Sequence, residues 1–279
     1  MKHLFKRIAA LTCATILTAS LLGGCGSSGE KGKIESPDDF IGKTIAVQSE
    51  TTASDNIAAM KAANKNGKKI TVVEYPKVTQ CFEDLALGRV DAVYVDSVVA
   101  AYYIYGDEKT ERVWISETAE PMGICLDKNS VELAATIEAA IDTLYYNGTI
   151  RELALKNFHD DFTVGLRTVD TAPVIPTGYK TIKAGTLTVG SEISYPPMEY
   201  TEDGTTYQGF DIDVAKALGE LLGLKVEFVD SAWQGIFDGL GKGSYDCVIS
   251  SVSITPERQA AYILTEPYVA NALCIVTTK

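Results

Sequence analysis

Residues 186–230 read TLTVGSEISYPPMEYTEDGTTYQGFDIDVAKALGELLGLKVEFVD, and their order of strand, loop, helix and strand sets the fold class. TLTVG (186–190) reads as a strand. It runs into a loop in which an aromatic, Tyr195, is followed by a rigid Pro-Pro. DIDVAKALGELLG (211–223) has the apolar spacing of an amphipathic helix, and KVEFVD (225–230) is the next strand. Strands that alternate with helices in this way build a mainly parallel sheet covered by helices.

The same rhythm extends in both directions. Downstream, AWQGIFDGLGKG reads as a helix and DCVISS (246–251) as a strand; Thr255-Pro256 is an N-cap and first-turn pair for a short helix, and ANALCIVTTK is a final strand. Upstream, KTIAVQS (43–49), ITVVEY (70–75), DAVYVDS (91–97) and GICLDK (123–128) are strands. TASDNIAAMKAANKN, TQCFEDLALG, SVVAAYYIYG, SVELAATIEAAIDTLYYNG and TIRELALKNF are helices, with Gly88 and Gly148 as stops. Residues 165–183 (GLRTVDTAPVIPTGYKTIK) hold two prolines and two glycines with little periodicity and read as a linker. The chain therefore contains two α/β units, and the crevice between them is the expected place for a small ligand.

The N-terminus carries an export signal. A basic start, MKHLFKR, precedes the apolar run IAALTCATILTASLL, whose 15 residues fall short of the roughly 20 that span a bilayer. LLGGC at 21–25 resembles a bacterial lipobox, which implies cleavage before Cys25 and lipidation of its thiol; residues 25–35 then read as a flexible tether. Three of the 25 basic side chains (Lys2, Lys6, Arg7) lie in residues 1–24, which hold none of the 37 acids, so the remainder carries 37 acids against 22 bases. A chain this acidic lacks the basic face that nucleic acid demands. Cys81, Cys125, Cys247 and Cys274 remain after the tether; the last three sit in apolar strand-like runs, where a thiol serves as a small core residue. With no CxxC spacing and two histidines, neither a metal site nor a cofactor is expected.

Several polar residues fall where strands end. Arg258, after SSVSITP, can hold a carboxylate through two parallel charge-assisted hydrogen bonds, with Ser251, Ser253 and nearby backbone N–H groups completing the shell. Tyr195 and Trp233 can sandwich an apolar stem or a flat cation. Each has a plainer reading: a structural ion pair for Arg258, local backbone satisfaction for the serines, core or rim packing for the aromatics.

Taken together, VGSEISYPPMEY, GFDIDVAKALGELLGLKVEFV, AWQGIFDGL, YDCVISSVSITPER and EPYVANALCIV resemble, in order, the first lobe of the amino-acid-binding bacterial extracellular solute-binding proteins. DFIGKTIAVQSETTAS, LALGRVDAVYVDSVVAAYY and EPMGICLDKNSVELAATIEAAIDTLYYNGTIRELALKNF resemble the second lobe. The resemblance implies a two-lobed α/β fold of the type 2 periplasmic-binding-protein kind. The lobe containing SYPP ordinarily comes first, so the order here reads as a circular permutation. The expected domains are a signal peptide at 1–24, a tether at 25–35, lobe 2 at 36–118, a hinge crossing at 119–123, and lobe 1 at 124–279 with its linker at 165–183, one of the two usual crossings being cut.

By resemblance, Arg258 binds a ligand's α-carboxylate with the backbone around Ser251 and Ser253, Thr52 with its neighbour Thr51 contributes from the other lobe, and Asp96 accepts from the α-ammonium group. Asp96 by position alone also fits a helix N-cap. Glu50 stands where the family turn usually has glycine, and either points to solvent or intrudes on the site. Glu192 occupies a position that faces the ligand's side chain in relatives that bind basic amino acids, which favours a polar or cationic ligand. The implied function is an extracytoplasmic lipoprotein that delivers an amino acid to the permease of an ABC transporter. An enzyme on the same fold (a dehydratase or a peptidoglycan lyase) and an amino-acid sensor are the alternatives, because fold alone does not settle function.

Overall fold

A computed structural model describes residues 32–64, 69–158 and 161–279; the expected signal peptide and Cys25 lie outside the described residues. No helix among the described residues is long and apolar enough to cross a membrane. Lys33 to Lys279 form one compact unit.

In chain order its elements are β1 (Thr44–Gln48), α1 (Thr52–Ala63), β2 (Thr71–Tyr75), α2 (Val78–Ala86), β3 (Ala92–Asp96), α3 (Ser97–Ile104) and β4 (Thr110–Ala119). Then come β5 (Cys125–Leu126), α4 (Val131–Tyr146), α5 (Thr149–Phe158), β6 (Thr186–Ser191), β7 (Tyr200–Thr201) and β8 (Tyr207–Gln208). The chain ends with α6 (Phe210–Leu222), β9 (Lys225–Asp230), α7 (Trp233–Gly241), β10 (Cys247–Val248), α8 (Pro256–Ala261), β11 (Ile263–Leu264) and β12 (Ala272–Thr278).

Two five-stranded sheets form the lobes. The first has the order β2-β1-β3-β12-β4, with β1 parallel to β2 and β3, and β12 antiparallel to β3 and β4. All five residues of β3 (AVYVD) are buried, as expected of a central strand covered on both faces. In α2, Val78, Cys81, Phe82 and Leu85 recur at helical spacing and are all buried. The second sheet has the order β11-β5-β10-β6-β9, with β6 parallel to β9 and β10. Helices α4 and α5 pack on α6, where the Phe158 and Phe210 rings lie 4.8 Å apart and Lys156 pairs with Asp213 at 2.7 Å. Cys81, Cys125, Cys247 and Cys274 are buried free thiols. Burial pushes Cys81, Cys125 and Cys274 up to about 12, so they serve as core, not as nucleophiles.

The domain boundaries differ from the sequence reading in two places. Ile34 is 5% exposed and packs with Phe40 in the core of lobe 2, so the folded body begins inside the segment expected to be tether. Residues 272–278 do not belong with lobe 1 as expected: β12 lies in the first sheet, that of lobe 2, where Leu273, Cys274, Ile275 and Val276 are buried between β3 and β4. No crossing is cut. Residues 119–124 and 265–271 both pass between the lobes, side by side and antiparallel. They are joined by Glu120 N–H to Asn271 O (2.8 Å), Met122 N–H to Val269 O (3.1 Å) and Tyr268 N–H to Met122 O (3.0 Å). The physical reason is that β12 satisfies its backbone on both sides only by inserting beside β3. Strand β4, an edge strand with mixed charged and exposed positions, closes that side of the sheet and had no clear sequence period.

The linker is pinned near its start. Arg167 reaches Glu138 and Asp142 at 2.6 Å each, donates to Pro267 O at 2.7 Å, and lies over the Tyr145 ring at 5.5 Å. Beyond it, residues 170–172 are exposed. Because β12 runs antiparallel to β3, and β3 parallel to β1, the end of β12 and the start of β1 lie on the same edge of the sheet, two strand spacings or about 10 Å apart. A rearranged chain opened between Asp170 and Thr171, with Lys279 joined to Lys33 by about ten Gly/Ser residues spanning up to ~33 Å, should therefore keep a cooperative fold. Loss of a cooperative urea transition in that chain would show that the present ends are structurally required.

Candidate functional site

The cleft between the lobes encloses about 320 Å³ of space not occupied by protein atoms, open solvent at its mouth included. Its lining brings together Arg258, Ser251, Ser253, Asp96, Thr52, Thr51, Tyr195, Trp233 and Glu192, which the sequence singled out, and adds Gln48, Glu199 and Ser250. Most sit at or just beyond carboxyl ends of strands: Gln48 ends β1, Asp96 ends β3, Glu192 follows β6, and the serines follow β10.

Asp96 is 9% exposed and makes no side-chain cap to α3. Instead its carboxylate accepts from Tyr195 Oη and from Asn271 Nδ2, each at 2.5 Å. Burial raises its pKa, while these two hydrogen bonds and the charge of Arg258 oppose that rise. Arg258 sits on α8, which Thr255 caps by accepting from Arg258 N–H at 3.2 Å. Its guanidinium donates to Ser253 O at 2.9 Å and lies over Trp233 (5.3 Å) and Phe237 (5.4 Å). No carboxylate of the described residues lies within ion-pair distance of it, which leaves most of its donors for an incoming anion. Burial pulls the group below its usual value, and the nearby Asp96 pushes the other way.

Several groups are already committed. Thr51 caps α1, and its hydroxyl donates to Gln48 O at 2.8 Å. Thr52 Oγ1 donates to Glu120, on the first crossing, at 2.7 Å. Glu120 is raised by burial. Glu50 is exposed, with φ 60, the left-handed region that a glycine at this turn would favour. Its carbonyl accepts from Trp233 Nε1 at 2.9 Å, so Glu50 contributes backbone to the cleft and leaves its side chain outside. Ser251 has φ 53, and its N–H is held by Asp211 at 2.7 Å, so this N–H is not turned to the cleft.

Behind the serines lies a pair of buried carboxyls. Glu199 accepts from Ser250 Oγ at 2.7 Å, and Asp211 accepts from Tyr268 Oη at 2.7 Å. The two acids also hydrogen-bond each other. Burial raises both; the charge of Asp211 and the bond between the two acids raise Glu199 further, while that bond and those from Tyr268 and Ser251 hold Asp211 down, so the proton between them rests on Glu199. Sequence reasoning missed this layer. The signal was present: Asp211 occupies the apolar stripe of α6 with Val214, Ala215 and Leu218, where an exposed acid is out of place.

Residues 187–279 match the family model of bacterial extracellular solute-binding proteins, family 3, and residues 9–121 match a model described as NMT1/THI5 like. The chain is 36% identical over 95 residues to a probable amino-acid ABC transporter-binding protein of Haemophilus influenzae, covering 34% of this chain and 37% of that one. It is 35% identical over 98 residues to the L-cystine-binding protein TcyA of Bacillus subtilis (35% and 36% covered), and 30% identical over 96 residues to a cyclohexadienyl dehydratase of Pseudomonas aeruginosa (34% and 36% covered). A solved structure of an ancestral cationic amino acid solute-binding protein is 49% identical over 27% of this chain and 33% of that one, with a TM-score of 0.27. The aligned stretches span little more than a third of the curated relatives.

A carboxyl that is raised in the folded state binds its proton more tightly there than in the unfolded chain. Its contribution to stability is full below the ordinary carboxylate range and is lost as pH rises toward the folded value. Glu199→Gln removes this titration while keeping a donor toward Asp211. The stability of Glu199→Gln relative to wild type should therefore grow with pH above about 5, by up to ~1.4 kcal/mol per pH unit. Urea denaturation at pH 5, 6, 7 and 8 measures it, and parallel profiles would mean that Glu199 is ionised.

Proposed function

We propose, from the premise that the chain belongs through residues 187–279 to the bacterial extracellular solute-binding proteins of family 3, that it is a receptor that clamps one free amino acid between its lobes and presents it to the permease of an ABC transporter. The observation that carries the reading is the placement of Arg258 and Asp96, from separate halves of the sequence, on one interlobe cleft. Opposite charges on opposite walls read a zwitterion: the guanidinium takes the α-carboxylate and Asp96, with Glu120 nearby, takes the α-ammonium. Ligand held by both walls stabilises closure. The acid excess of the lining (Asp96 and Glu192 against Arg258) favours a polar or cationic side chain. The fold is that of type 2 periplasmic binding proteins, and the chain order reads as a permutation of the family's, since the segment that matches the family model lies at the C-terminus. On that reading, the rearranged chain described above regenerates the family order and retains ligand binding.

A dehydratase is the second reading, supported by the similarity to a cyclohexadienyl dehydratase and by a protonated carboxyl, Glu199, lining the cleft. Glu199 donates to Asp211 instead of toward the cleft, which favours binding over proton transfer to a substrate. Turnover of prephenate-like substrates would reverse the ranking.

A thermal-shift screen of the twenty amino acids with ornithine and cystine should find stabilising ligands, since a ligand at 100 times its Kd adds about 2.7 kcal/mol to the folded form. Arg258→Ala should weaken the best ligand at least about 100-fold and Asp96→Asn about 10-fold, both by calorimetry. A silent screen would sink the receptor reading.

Anchoring by lipid on Cys25 is likewise a proposal, resting on LLGGC at 21–25. In cells, Cys25→Ser should move the protein from the membrane fraction to the soluble extracytoplasmic fraction. Retention on the membrane would remove the anchor.

A further inference from the structure

Two acids that the receptor reading leaves without a task lie side by side behind the serines of the cleft. Glu199 is 1% exposed and Asp211 0%, and their carboxyls hydrogen-bond each other. A carboxylate has acceptors only, so that bond exists only while one of the two keeps a proton. No base of the described residues lies within ion-pair distance of either acid to take the proton's place. Asp211 is raised to about 6 by burial, and Glu199 further by burial and the charge of Asp211. At pH 7 Asp211 is therefore the acceptor and Glu199 the donor.

Each end of the pair holds a different part of the site. Glu199 accepts from Ser250 Oγ at 2.7 Å, and Ser250 Oγ accepts in turn from Glu192 N–H at 3.0 Å. Asp211 accepts from Ser251 N–H at 2.7 Å, which fixes the left-handed turn of Ser251, φ 53. Its other oxygen accepts from Tyr268 Oη, on the second crossing, at 2.7 Å. The backbone of Glu199 pairs with that of Tyr195 at 2.8 and 3.1 Å, and the Tyr195 hydroxyl holds Asp96. The other titratable groups facing the pair are Glu192, whose charge reinforces the proton on Glu199, and Tyr195 and Tyr268, which burial keeps neutral.

We infer that Glu199 and Asp211 are positioning residues for ligand binding, and that the proton of their mutual hydrogen bond holds the Ser250–Ser251 turn in its binding conformation. The inference rests on the receptor reading and adds a proton that tunes affinity without touching the ligand. Ionising both acids sets two carboxylates side by side with no base near, and the turn must move to let water between them. A carboxyl raised in the folded state loses its proton as pH rises through the folded value, so affinity is greatest below that value and falls above it. Neutralising Asp211 instead removes the charged acceptor of Ser251 N–H and Tyr268 Oη.

Calorimetric titration at pH 7, with L-arginine and L-glutamine as probes, separates the polarity of the pair from its bulk. Glu199→Ala should weaken binding about tenfold or more. Glu199→Gln, whose amide donates to Asp211 without titrating, should restore it to within about threefold of wild type. Asp211→Asn, equally isosteric, should cost about tenfold or more. Between pH 7 and 9 the Kd of wild type should rise relative to that of Glu199→Gln, by up to about tenfold per pH unit; the ratio cancels groups that both proteins share. In the ligand-free proteins, amide hydrogen exchange of residues 248–253 should follow the same order. Equal losses in the two isosteres, or superimposed pH profiles of wild type and Glu199→Gln, overturn the inference and leave the receptor intact. An Asp211→Asn chain that fails to fold leaves the two Glu199 variants to decide. Absence of binding to any of the twenty amino acids overturns the receptor reading, and the exchange order then upholds or overturns the positioning by itself.

Discussion

The structure depends on burying charge at a seam between two lobes and leaving part of it unmatched. Carboxylates are costly to bury, and proteins that do so usually pair them with bases. Here Asp96 and Glu192 line one cleft with a single guanidinium, and that guanidinium is held by Ser253 O and two aromatic faces instead of by a carboxylate. The arrangement is coherent for a site completed by a ligand. Had Arg258 been paired with Asp96 directly, an incoming zwitterion would have had to break a charge-assisted bond on each wall before making its own.

Both walls of the cleft are tied to the same short piece of chain. Asn271, on the second crossing, fixes Asp96 by donating to it, and fixes the start of α3 by accepting from Ser97 N–H at 3.0 Å. Three residues earlier, Tyr268 donates to Asp211, which in turn holds Ser251 N–H in its left-handed conformation. The other crossing contributes Glu120 to Thr52, and Met122 bridges to both Ser253 and Val269. Each crossing therefore touches the binding groups of both lobes. A hinge built this way does more than permit rotation: the strands that bend also orient the residues on either side. That is a physical reason for the paired, fully buried backbone of Met122 and Tyr268.

Most of the elements were legible because their periods are strong. The α2 and α4 stripes, the buried run of β3 and the Thr255 cap follow from spacing and local chemistry alone. What the sequence hid were pairings between distant strands. Nothing in ANALCIVTTK says whether it pairs with β3 or with β5, so the lobe assignment of β12 and the second crossing came only with the coordinates. The nine expected cleft residues do meet at one cleft, but the resemblance supplied most of that foresight; Arg258, Tyr195 or Asp96 alone had plainer readings. Gln48 and Glu199 escaped notice for a different reason. A single polar residue at a strand end, or an acid beside Pro-Pro, looks like a surface residue until the second lobe covers it. Glu50 is the converse case: the departure from glycine kept the backbone conformation and only moved a charge to solvent.

Strain and unmet hydrogen bonds act on the same equilibrium. Two non-glycine residues, Glu50 and Ser251, adopt left-handed backbone at the cleft, each at a cost of roughly 1–2 kcal/mol. The closed lobes additionally bury Gln48 Oε1 without a donor. Against these stand the direct bonds across the seam: Gln48 to Glu192, Tyr195 to Asp96, Trp233 to Glu50 O, and Gln234 to Pro76 O at 3.3 Å. Such hydrogen bonds contribute about 0.5–1.5 kcal/mol net between neutral groups and about 1.5–3 kcal/mol to a charged one. A ligand shifts an equilibrium between open and closed lobes only by what it binds better in the closed form than in the open one.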